Sequence, residues 1–123
     1  MGDDLYADLW VKDAERRGHA YRTLMAETEQ PVPWAAERSD DVVAHLTDPD
    51  HHVRSIAAQL LCNLAAHRPI ARRDLDALLT VTRDPRFVTA RHSLRSLWRI
   101  GLAGPEQRGV LLDVVAERYR DSF

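Results

Sequence analysis

The side chains of this 123-residue chain that could do chemistry are six histidines, seventeen lysines and arginines, nineteen carboxylates and one cysteine. His51 and His52 are adjacent, with His45 a turn and a half before them and His67 beyond. A metal site needs three or four ligands converging on one point. Consecutive residues on a helix diverge by about 100°, so His51 and His52 are expected to point apart, and no metal is predicted. The same divergence separates Asp40 from Asp41. That pair, like Asp74 and Asp76, stands near a predicted helix start, where carboxylates complement the dipole. Cys62 sits in the apolar run 57–66, where a cysteine serves as a small hydrophobe. The chain has no Gly-rich phosphate loop, His-Glu-x-x-His, Cys-x-x-Cys or Gly-x-Ser-x-Gly. No catalytic residue and no cofactor is expected.

Arginine carries the remaining signal. Arg91, Arg95 and Arg99 recur every fourth residue, which sets them in one cationic row along a helix, with Arg86 and His92 nearby. Guanidinium forks suit carboxylates and phosphates alike. The competing reading is a solvated face whose charges pair with Asp113 or Glu117. Trp98 beside the row could stack on a ligand, although tryptophans at such spacing, with Trp10 and Trp34, more often pack a core.

Helices must position these groups, because period-3.6 apolar stripes run almost throughout. The predicted units are a helical hairpin over 3–29, broken at Gly18, then 34–66, 71–101 and a terminal helix over 105–121. Asp48-Pro49 recurs 36 positions later as Asp84-Pro85, with Asp48 as the predicted cap of the helix that follows it. At that offset Ala57 meets Ser93, Leu61 meets Leu97 and Leu64 meets Ile100. Arg91, Arg95 and Arg99 fall opposite Ser55, Gln59 and Asn63. Repeated helix pairs bury their apolar stripes only by stacking on neighbours, so a short solenoid follows.

The stretch from Leu46 to Leu61, in which Asp48-Pro49 is followed by Val53-Arg54 and then Ala57, Ala58, Leu60 and Leu61, resembles a HEAT repeat. The second copy departs from it, with Thr89-Ala90 where the first has Val53-Arg54. The resemblance implies an all-α, right-handed superhelix of about seven helices, three hairpins and a C-terminal helix that caps the stack or pairs with a second copy. It further implies that Arg54 and Asp48 join adjacent repeats, and that second helices line an inner wall.

The expected function is therefore a non-catalytic scaffold binding a protein or peptide with acidic groups. The residues expected to do so are Arg91, Arg95, Arg99, His92, Arg86, Ser55, Gln59 and Asn63. Alternatives are phosphate-backbone binding through the same arginines, or an accessory role beside an enzyme such as a HEAT-like lyase. Residues 1–50 hold twelve acids against five bases and residues 51–123 seven against twelve, net −7 and +5, which disfavours a long polyanion. An acidic start, the lack of a run long enough to span a bilayer and a single cysteine make the cytoplasm the expected compartment.

Overall fold

The structure, a computed structural model, describes residues 3–67, 71–97, 99–100 and 104–119. All regular secondary structure among them is helical. Helix α1 (Asp3–Ala7) runs into a 3-10 turn at Asp8–Trp10, and α2 spans Ala14–Glu27. Then come α3 (Ala35–Ala44) with a 3-10 turn at His45–Thr47, α4 (His51–Ala65), α5 (Arg72–Val81), α6 (Phe87–Ser96) and α7 (Pro105–Tyr119).

Two predicted helix boundaries move. Gly18 lies inside α2, and the break falls earlier, at residues 11–13. Asp13 accounts for the shift, since its carboxylate accepts the backbone N–H groups of Glu15 and Arg16 at 3.0 and 3.2 Å. Such a cap is worth about 1 kcal/mol, comparable to the penalty of one interior glycine, so the glycine is carried within the helix. The cap of α4 is Asp50 rather than Asp48. Pro49 holds Asp48 in an extended conformation, and the Asp48 carboxylate accepts the Asp50 N–H at 2.8 Å. Asp50 then accepts the His52 N–H at 2.8 Å and starts the helix.

Helix α4 is the centre of the molecule. Every residue from Ile56 to Ala65 is buried, because the helix has neighbours on all sides: α2, α3, α5 and α6. Small residues at Ala57, Ala58, Cys62 and Ala65 admit those neighbours closely, while Leu60, Leu61 and Leu64 fill the space between. Helices α2, α4 and α6 pack in series on one side, and α3, α5 and α7 in series on the other.

Three side-chain hydrogen bonds joining α4 to α2 and α6 span 38 residues each. Tyr21 Oη donates to Gln59 Oε1 at 2.5 Å, Asn63 Nδ2 to the Met25 carbonyl at 3.3 Å, and Thr89 Oγ1 to the His51 carbonyl at 3.3 Å. Arg54 ties the turns together. Its Nε and Nη2 hold both Asp84 oxygens at 2.5 and 3.0 Å, and its Nη1 donates to the carbonyls of Asp48 and Pro49.

Trp10 and Trp34 are half-buried around Tyr6, with ring centroids 5.7 and 6.2 Å from it, and Trp10 stacks on His45 at 3.9 Å. Helix α7 packs on α5 through buried Val114 and an Arg72–Glu117 ion pair. Leu112 on α7 is exposed. No helix among the described residues is long and apolar enough to cross a membrane.

Candidate functional site

A groove of about 480 Å³ crosses the face formed by α2, α4 and α6. Helix α2 contributes Ala14, Arg17, Gly18 and Tyr21, which succeed one another at helical spacing along one edge. Helix α4 contributes His51, His52, Ser55, Ile56 and Gln59, and α6 contributes Thr89 and His92. Gly18 keeps the α2 edge low, since it brings no side chain to the wall. Ile56 supplies an apolar floor, and hydroxyl, amide and imidazole groups surround it.

The electrostatics of the groove favour an anion. Arg17 lines it directly. The charge of Arg86 acts on His51 at one end, and that of Arg99 acts on Tyr21 at the other. None of the lining residues is acidic; Asp50 and Asp84 both feel the charge of His51, and Asp13 caps α2 just before Ala14. Asp50 is held below the usual carboxylate range by the His52 N–H that it caps, with help from the charges of His52, His51 and Arg17. Tyr21 is pushed up by burial, so its hydroxyl stays protonated and keeps its donor bond to Gln59. Partial desolvation and the charges of His52 and Arg86 pull His51 down.

The eight residues expected from the sequence are distributed unevenly. Ser55, Gln59 and His92 meet in the groove. Gln59 is largely spent on the fold, because its amide bridges Tyr21 and Ser55. Asn63 is wholly inside: Nδ2 donates to Thr28 Oγ1 at 2.9 Å and to Met25, and its Oδ1 is buried without a hydrogen bond. Arg86, just before α6, and Arg91, on it, are exposed.

Arg99 lies past the end of α6, so the arginines do not form one unbroken helical row. The Ser96 hydroxyl at the end of α6 donates to the His92 carbonyl at 2.9 Å. The side chain of Arg95 and all of Trp98 lie outside the described residues.

Arg17, Tyr21, His51, His52 and Thr89 are the lining residues that the sequence reading missed. The spacing Ala14, Arg17, Gly18, Tyr21 was available as a signal, but a helix break at Gly18 hid it.

The histidine pair differs from expectation in a second way. His51 and His52 do not point apart: their ring centroids are 4.1 Å from each other, at an interplanar angle of 35°. Helical geometry fixes only the Cα–Cβ directions, and rotation about χ1 and χ2 brings the rings together. Elsewhere, Asp41 accepts the Tyr6 hydroxyl at 2.5 Å. Cys62 is fully buried, and desolvation pushes its thiol up to about 12, so it stays protonated at neutral pH. Comparison of the chain with family models, with curated proteins and with solved structures finds no match.

Proposed function

We propose that this chain is a non-catalytic protein-binding module, a short HEAT-like solenoid whose α2–α4–α6 face receives an acidic segment of a partner protein. The observation that carries the reading is the composition of the groove. It gathers Arg17 and three imidazoles from three helices with no carboxylate in its lining, and the charges of Arg86 and Arg99 reach His51 and Tyr21 within it. Charge-assisted hydrogen bonds from the Arg17 guanidinium to carboxylates are about twice as strong as neutral ones, and the imidazole N–H groups add neutral donors beside it. Support for the solenoid comes from the serial packing of alternate helices and the shared 38-residue spacing of the bonds between them. A single buried cysteine suits the cytoplasm.

The test is selection of random peptides on the immobilised protein. Enrichment of segments rich in Asp and Glu is expected. Affinity for them should fall by roughly tenfold or more, about 1.4 kcal/mol, in an Arg17→Glu/Arg86→Glu variant. Enrichment of apolar peptides that bind the variant equally would overturn the reading. So would binding of unrelated DNA duplexes in preference to any peptide, with the steep salt dependence of phosphate contacts.

A further inference from the structure

We infer that Asp50, His51 and His52 form a divalent transition-metal site, best suited to Zn²⁺, at the edge of the groove. One ligand atom from each of the three residues lies within 4.8 Å of the others. In a tetrahedral zinc site, ligand bonds of roughly 2.0–2.2 Å place donor atoms roughly 3.3 Å apart. Closing the difference asks for up to roughly 1.5 Å in each donor–donor separation, which side-chain torsions can supply because the rings are half-exposed or exposed. Asp50 is the cap and His51 and His52 open the first turn of α4, so the three side chains branch from one short stretch of backbone.

The donor set decides the ion. Two borderline imidazoles with one hard carboxylate make a His₂-carboxylate set that zinc accepts, and three protein ligands leave at least one coordination position open. Asp50 caps the helix through Oδ1, so its second oxygen can serve the metal. The carboxylate also offsets two opposing influences: the positive end of the helix, and the charges of Arg17 and Arg86 nearby. These oppose a cation without cancelling three direct ligand bonds, so binding is expected to be weaker than at a closed four-ligand structural site. Both imidazoles line the groove, so a metal held by them would stand at its edge. A carboxylate of a bound acidic segment would complete the coordination; this last step rests on the proposed function, whereas the metal site itself does not.

The experiment is calorimetric titration of zinc chloride alone into the metal-free protein in a non-chelating buffer. One ion per chain is expected, with reversal by EDTA. His51→Gln and His52→Gln should each weaken binding by roughly tenfold or more. Asp50→Asn should also weaken it while retaining the helix cap, because asparagine caps as well as aspartate. His67→Gln, at the far end of α4, should change nothing. No binding in the wild type, binding that survives both histidine substitutions, or an equal loss in His67→Gln would overturn the site. Because no peptide is present, failure here leaves the acidic-segment reading standing, and failure of peptide selection leaves the metal site standing.

Discussion

At the scale of single residues, Arg54 joins two successive turns of the molecule. Its guanidinium satisfies two carbonyls of its own turn and both oxygens of Asp84 in the next. Only 17% of the Arg54 side chain and 5% of the Asp84 side chain remain exposed. Removing one partner of a pair this enclosed leaves the other charge uncompensated, which costs far more than breaking an exposed ion pair. Arg54→Ala is therefore expected to lower the urea-unfolding free energy by about 2–4 kcal/mol at neutral pH.

The guanidinium also holds the Asp84 carboxyl below its usual range. A depressed folded value contributes stability in full above the unfolded carboxylate value, near pH 4, and loses it as pH falls through the folded value. The gap between wild type and Arg54→Ala should thus narrow only in acid. A gap below half a kilocalorie at pH 7, or one unchanged in acid, would reduce the bridge to an ordinary surface pair. The sequence pointed to Arg54 and to the turn aspartate as connectors. It could not show that the carboxylate comes from Asp84 while Asp48 offers only its carbonyl, because that depends on how far one turn stands from the next.

At the scale of elements, helix boundaries were legible where proline or an apolar stripe set them, and less so where a cap competed with a glycine. Pro31, Pro33, Pro49, Pro85 and Pro105 all fall at or near the ends of helices. Gly18 misled because its low helix propensity was read without the Asp13 cap five residues earlier. That error moved the α2 edge of the groove out of sight. A Cβ at Gly18 would meet only the Arg22 Nη1 at 3.1 Å, the end of a flexible side chain that can move aside. Gly18→Ala is expected to stabilise the protein by about 0.5–1 kcal/mol, read as a higher melting temperature. An unchanged or lower melting temperature would mean that the space above Gly18 is needed by the fold. The histidine pair failed to appear in the sequence for a different reason: the divergence of adjacent Cβ atoms is a rule about backbone, and two-torsion side chains can defeat it.

At the scale of the whole molecule, the charge asymmetry of the sequence does not map simply onto the site. The groove takes Arg17 from the acidic first half and His51, His52 and His92 from the basic second half. Serial packing of α2, α4 and α6 brings the two halves to one face, something that linear charge counting cannot anticipate. Helix content was readable from the apolar period, and the polar character of Ser55 and Gln59 from the 36-residue recurrence, whereas the central position of α4 was not. The burial of Asn63 was not, because its partners Thr28 and Met25 belong to a hairpin outside the recurrence.

The central claim is that the α2–α4–α6 groove binds an acidic segment. Its most direct test is an amide chemical-shift titration of the isotope-labelled protein with a polyglutamate peptide in metal-free buffer. Saturable shifts centred on Arg17, Tyr21, Ser55, Gln59, Thr89 and His92 are predicted. Shifts centred instead on α7 around Leu112, or none at concentrations where other acidic-peptide binders saturate, would contradict it.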